Sequence, residues 1–305
     1  MYRQHFALRE MPFAITPDTS YFYSYGVYQE ALNVLLVALR SGEGFIKISG
    51  EVGTGKTLLC RKLLNTLGDG FVTAYLPNPC LTPAGLRMAL ADELSIHYAR
   101  NMGQHRILQL INERLIELNA QGKQVVLLLD EAQALPDDSM EALRLLTNLE
   151  TEKSKLLQVV LFGQPELDDR LAASRLRQLR QRITFSYDLD VIDRAGLDGY
   201  LGHRLLVAGY NGRPLFSRAA MDALHRDSRG VPRLINVLAH KALMVAYGKG
   251  VFCVDAPHVA IAAADTEAVV PIVAGGLSGR LTRVGAAVAS VMGAAAAAAA
   301  MSLGV

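Results

Sequence analysis

Over roughly its first two thirds the chain alternates two patterns of apolar residues. Short, nearly unbroken aliphatic and β-branched runs recur as FIKIS (45–49), FVTAYL (71–76), QVVLLLD (124–130), QVVLFG (158–163) and ITFSYDL (183–189). Runs of this length and composition predict strands buried on both faces. Between them apolar residues fall at helical spacing in TPAGLRMALADEL (82–94), HRILQLINERLIELNA (105–120) and DDSMEALRLLTNLE (137–150), several with Thr or Asp where a helix cap is expected. The alternation predicts an α/β domain over residues 44–190, a five-stranded parallel sheet with helices on both faces.

After about Asp193 the strand signal stops. RAGLDGYLGHRLLVAG, SRAAMDALHRDS, VPRLINVLAHKALMVAYG and DAPHVAIAAAD keep helical spacing and predict a small all-helical domain over residues 191–266. Residues 267–283, rich in Gly and small side chains, read as a linker. Residues 284–305 form an Ala-rich apolar tail with no charged residue. Its length suits a bilayer-spanning helix, but Ala and Gly favour insertion weakly, so membrane anchor and peripheral low-complexity tail both stay open. No internal repeat is present.

Composition narrows the class only a little. With 305 residues, 51% hydrophobic and 20% charged, the chain is expected to be globular rather than disordered. Thirty-one basic against 29 acidic residues leave a net charge of +2, too little to imply a polyanionic partner. Cys60, Cys80 and Cys253 are far apart and lack metal-ligand spacing, so they are expected to be reduced core thiols of a cytosolic protein, with no zinc site. The opening MYRQHFALREMPF has no secretory signal pattern, which points to the cytoplasmic side.

The chemistry is concentrated in a few motifs. GEVGTGKT, residues 50–57, lies between a predicted strand and a predicted helix, the context that a phosphate-binding loop requires. Its glycines let backbone N–H groups turn inward onto phosphate, and the helix N-terminus adds a favourable dipole. The expected nucleotide-binding set is Gly50, Glu51, Val52, Gly53, Thr54, Gly55, Lys56, Thr57 and Leu58, with Lys56 reaching the β and γ phosphates and Thr57 ligating Mg2+. QVVLLLDEAQAL supplies Asp130 as the second metal ligand and Glu131 to orient or deprotonate the attacking water. Gln164, after the fourth strand, is expected at the γ-phosphate; a solvated loop residue is the alternative.

The run SRLRQLRQRI places Arg175, Arg177, Arg180 and Arg182 close together. An arginine finger donated to a neighbouring subunit's nucleotide, a solvated basic helix face and phosphate contacts to nucleic acid all account for such a cluster. The finger is preferred and Arg182, just before the fifth strand, is the preferred member. DSRGVPRLIN puts Arg233 at a helix start in the helical domain, expected to fold back onto the γ-phosphate as a sensor.

Taken together these motifs resemble an AAA+ ATPase, a P-loop NTPase fold with a helical lid. FALREMPFAITPD, YQEALNVLLVAL, GFIKISGEVGTGKTLLCRKLL, LLDEAQALPDDSMEALRLLTNLE, LFGQPEL, LRQLRQRI and GVPRLINVLAHKALMVAY resemble the general secretion pathway protein A family, which includes ATPases of type II secretion and of mannose-sensitive haemagglutinin pilus biogenesis. The resemblance implies a cytoplasmic ATPase, with ATP and Mg2+ as ligands and inner-membrane pilus or secretion assembly proteins as partners; the arginine cluster calls for a homo-oligomer, and the tail, where it acts as an anchor, would attach the protein to that membrane. It also implies that residues 1–43 contribute to an adenine pocket with Phe13 and Pro17 as apolar walls. Relatives commonly have His where this chain has Tyr28. Secretion-type members continue into a cell-wall-binding domain that this sequence does not contain, so its length suits the pilus branch. A DNA-associated helper ATPase is the alternative, although no dedicated nucleic-acid-binding domain is evident; a nucleotide-gated scaffold is a third reading.

Overall fold

The computed structural model describes residues 2–24, 26–99, 101–150 and 155–269. The chain forms two compact units, one of Pro17–Asp190 and one of Met1–Thr16 with the chain from Val191 onward. Helix α1 (Tyr2–His5) opens the second unit.

The sheet unit runs through α2 (Val27–Arg40), β1 (Phe45–Ser49), α3 (Lys56–Thr66), β2 (Phe71–Leu76), α4 (Pro83–Glu93), α5 (Gln104–Ala120) and β3 (Gln124–Leu129). It continues through α6 (Asp137–Leu146), β4 (Leu157–Gly163), α7 (Glu166–Ala172), α8 (Arg177–Arg180) and β5 (Ile183–Asp188). All five strands are parallel, in the order β2-β3-β4-β1-β5. Every predicted strand is present. The inner strands β1 and β4 are buried along their whole length, as is β3 beyond its first residue, because helices cover both faces and leave no position for a polar alternation. The edge strands β2 and β5 are partly exposed, and there threonine, serine and tyrosine enter the apolar run.

Caps agree with the sequence only in part. Thr82 accepts from the Gly85 N–H at 3.1 Å and starts α4, as its position suggested. In contrast, α6 begins after Pro136 without a side-chain cap, and Asp137 is taken up by ion pairs with Arg170 and Arg175.

The helical unit comprises α9 (Arg194–Val207), α10 (Arg218–Ser228), α11 (Pro232–Gly248) and α12 (Ala256–Ala264) besides α1. Asp193, Ser217 and Asp255 cap α9, α10 and α12 through their side chains. Gly230 ends the turn before α11 with φ 75°, and a Cβ there would stand 2.1 Å from the Ile192 carbonyl oxygen, so only glycine fits.

Two expectations are corrected here. Residues 1–43 do not act as one segment: the first 16 belong with the helices. Arg204 on α9, 4% exposed, donates to the carbonyls of Pro12 (2.6 Å) and Ala14 (3.1 Å), Tyr2 hydrogen-bonds His240 of α11, and Phe13 packs edge-on against Phe216. Nor are all the cysteines core residues: Cys60 is buried, whereas Cys80 and Cys253 are exposed in loops that the strand and helix patterns do not cover.

Among the described residues no helix is long and apolar enough to cross a membrane. The tail at 284–305 and nearly all of the linker lie outside the described residues.

Candidate active site

Strand order decides what meets at the C-terminal edge of the sheet. Leu129 of β3 lies beside Leu161 of β4, and Gly163 of β4 lies beside Ser49 of β1. Asp130 and Glu131, Gln164, and Gly50 therefore leave the sheet side by side, at the edge where parallel sheets bind ligands.

The loop after β1 needs its glycines. A Cβ on Gly50 would stand 2.8 Å from the Leu189 carbonyl oxygen and 3.0 Å from Thr54 Oγ1. Gly53 and Gly55 have φ of 85° and 97°, a region that side chains disfavour. Within the loop the Thr54 hydroxyl donates to the Glu51 carbonyl at 2.8 Å, while Glu51 and Val52 are exposed at its tip. Gly55 stands at the cap position of α3, so the N–H groups of Lys56, Thr57 and Leu58 form that helix's first turn and lack intrahelical acceptors. The Tyr28 ring approaches Gly55 to 3.6 Å from a Cβ built there, and Phe22 meets Tyr28 edge-on.

Lys56 is 5% exposed and folds back on its own loop, its Nζ donating to the carbonyls of Gly50 (2.6 Å) and Glu51 (2.8 Å). Burial lowers its pKa; the carboxylates of Glu131, Asp130, Glu51 and Glu166 pull it back up. Asp130, 2% exposed, accepts a hydrogen bond from the Glu131 N–H at 3.0 Å, and the Thr57 hydroxyl stands near enough to favour its charged form. Burial raises its pKa, and these two donors oppose the shift.

Glu131 has φ 54°, which for a residue with a side chain costs on the order of 1 kcal/mol or more. The turn it makes leads into a short 3-10 segment, Ala132–Ala134. Its carboxylate accepts from Gln164 Nε2 at 2.9 Å and from Gln133 Nε2 at 2.5 Å. Lys56, Thr57, Asp130, Glu131 and Gln164 are thus gathered in one place.

The remaining predicted residues have other partners or belong to the helical unit. Arg182 is half-buried and donates to Thr147 Oγ1 at 3.2 Å and to the Arg144 carbonyl at 3.4 Å. The side chains of Arg177 and Arg180 are exposed and make no hydrogen bond or ion pair with other described residues. Arg233 is exposed in the first turn of α11, in the helical unit. Phe13 is buried in that same unit, while Pro17 belongs to the sheet unit, where its carbonyl accepts from Arg61 of α3 at 2.9 Å.

Sequence reasoning missed Gln133 and Arg170. Gln133 had a signal, a polar side chain two places after Glu131 in DEAQ; Arg170, whose guanidinium donates to the Gln133 carbonyl, had none.

The donor set fits a magnesium nucleotide. The loop is a cradle that only glycine permits, the ammonium and helix N-terminus suit phosphate, and the Thr57–Asp130 pair offers the hard oxygens that Mg2+ takes alongside phosphate and water.

Comparison with known proteins agrees. The family model described as AAA domain matches residues 39–171. Over 250 residues, 82% of this chain, the sequence is 46% identical to general secretion pathway protein A of Aeromonas hydrophila, and it spans 46% of that relative, about half its length. Among solved structures, the ADP form of the ORC2 protein of Aeropyrum pernix has a TM-score of 0.61 at 16% identity, covering 83% of this chain and 72% of that one. Cdc6p from Pyrobaculum aerophilum gives 0.59 at 19% identity, with 78% and 68% covered. At such identities these two establish the fold, that of AAA P-loop NTPases, and nothing further.

Proposed function

Since the chain belongs, over the residues it shares with its relative, to the general secretion pathway protein A family of AAA+ proteins, we propose that it binds and hydrolyses ATP to drive assembly of a type IV pilus or type II secretion machine at the inner membrane. The observation that carries the hydrolytic part is the convergence of Lys56, the Thr57–Asp130 pair, Glu131 and Gln164 at one edge of the sheet. Lys56 and the N–H groups of residues 56–58 hold the phosphates. Mg2+, bound by Thr57 and Asp130, would neutralise charge on them. Glu131 takes the proton of the attacking water, and Gln164 moves its amide from Glu131 to the γ-phosphate.

A neighbouring subunit's arginine completes the site in this reading. Exposed Arg177 and Arg180 are better placed to reach another copy than Arg182, which is engaged within its own chain. Arg233 acts as the γ-phosphate sensor. The pilus branch, cytoplasmic location and attachment through residues 284–305 belong to the same proposal.

One preparation tests both halves. Glu131→Gln is expected to keep ATP affinity and to lose about 100-fold or more in turnover, the usual contribution of a general base. The ATP-trapped variant, mixed with detergent-solubilised inner membranes, is expected to retain assembly proteins that a Lys56→Ala control releases. Undiminished turnover in Glu131→Gln rejects the catalytic assignment. Loss of the captured material on nuclease treatment rejects the assembly role in favour of a DNA-associated one.

A further inference from the structure

Building on the hydrolytic reading above, we propose that Gln133 is the positioning residue that holds Glu131 in place while Gln164 serves the nucleotide. Gln133 uses both ends of its amide: Nε2 donates to Glu131 Oε2 at 2.5 Å, and Oε1 accepts the Gln164 backbone N–H at 3.1 Å. Gln164 in turn donates Nε2 to the same Glu131 Oε2 at 2.9 Å. The three residues close a ring between the ends of β3 and β4.

The ring has a fixed side and a movable side. Gln133 is fixed through its main chain as well, because its carbonyl accepts from Arg170 Nη1 while the other arm of that guanidinium grips Asp137 at 2.5 Å. Arg175 grips the second oxygen of Asp137, so the anchor is itself held from two directions. Gln164 has only its side-chain amide on Glu131 to give up, and its backbone stays bonded to Gln133 when it does so.

The carboxylate oxygen has lone pairs for both donors, so neither excludes the other. They have a use where one must leave. When the Gln164 amide turns to a phosphate oxygen, Glu131 keeps a single amide, that of Gln133, on a backbone already strained into the left-handed region. Freed of both, the carboxylate would sample several rotamers, and a misplaced base loses rate without losing substrate affinity.

Two substitutions in the full chain separate this role from a merely structural one. Gln133→Met keeps the volume and removes both side-chain bonds. Gln133→Glu keeps the acceptor for the Gln164 N–H but replaces the donor to Glu131 with a like charge. Steady-state ATPase activity and equilibrium binding of a fluorescent ATP analogue are measured for each, alone and combined with Glu131→Gln.

Both are expected to lower kcat by about 10- to 100-fold with KM and analogue affinity within about twofold, and to have no further effect once Glu131 is Gln. Wild-type turnover in Gln133→Glu with a loss only in Gln133→Met overturns the proposal, since the pairing of Gln164 would then be what matters. So does a loss that multiplies with Glu131→Gln, or one matched by equal loss of analogue binding. If the unaltered chain shows no turnover the hydrolytic reading falls and this one with it; normal turnover in both Gln133 variants removes this one alone.

Discussion

Among the described residues each unit has one long cation buried against main-chain carbonyls, and the two serve opposite ends. Lys56 in the sheet unit and Arg204 in the helical unit are 5% and 4% exposed. Lys56 binds Gly50 and Glu51, five or six residues back in its own loop; Arg204 binds Pro12 and Ala14, some 190 residues away. The first set of bonds is local and closes almost no chain, so an incoming phosphate can replace it at little conformational cost. The second fastens a distant segment to a helix. Surroundings differ in the same sense: four carboxylates act on Lys56, whereas Arg204 lies over the Tyr200 ring and reaches its hydroxyl.

The comparison breaks most visibly at Lys56. Lys56→Met removes charge-assisted bonds to phosphate, so ATP affinity in titration calorimetry is expected to fall about 100-fold or more. The ligand-free protein, by contrast, is expected to keep its melting temperature or gain slightly. The sign follows from linkage: a pKa lowered by burial means that the charged form costs stability at neutral pH, a cost that the substitution removes. A marked loss of ligand-free stability would show that Lys56 is structural, like Arg204.

At Arg204 the expectation reverses. Arg204→Met leaves the buried carbonyl of Pro12 without its donor, releases that of exposed Ala14, and is expected to cost about 2 kcal/mol in urea unfolding. Arg204→Lys, with one compact charge in place of a two-armed fork, recovers only part of it. Cleavage near residues 12–14 in limited proteolysis should rise in step with the loss. An unchanged midpoint would remove the staple from the account.

The same contrast explains what the sequence could and could not disclose. The five strands, the glycine loop and the Asp-Glu pair were legible because each depends on neighbours in sequence: apolar runs for doubly covered strands, glycines for positive φ, carboxylates for a strand end. Arg204 stood in RAGLDGYLGHRLLVAG as one more helix-face residue, and nothing within RAGLDGYLGHRLLVAG points to Pro12. For that reason residues 1–43 read as one segment, although the first 16 belong with the helices. Arg182 was preferred from its place before β5, yet its partners, Arg144 and Thr147, come from α6 and the turn after it. Gln133 fell between, a local residue whose partner Gln164 arrives through the pairing of β3 with β4.

The smallest effect expected concerns protons. In the helical unit His240 Nδ1 and the Tyr2 hydroxyl share a hydrogen bond of 2.8 Å, and burial, with the Lys241 charge beside it, lowers the His240 pKa below 6.5. His258 accepts the Asp255 N–H at 2.9 Å and is likewise lowered by burial, with Lys249 adding to the shift and Asp255 opposing it. A depressed imidazole contributes stability that is complete above pH 6.5 and is lost as pH falls through the folded-state pKa. Calorimetric melts from pH 8 to 5.5 are therefore expected to show a modest fall below pH 6.5, and the double variant His240→Gln, His258→Gln to flatten it. An equal slope in the double variant would place the proton uptake elsewhere, and the two histidines would then be ordinary parts of the helical core.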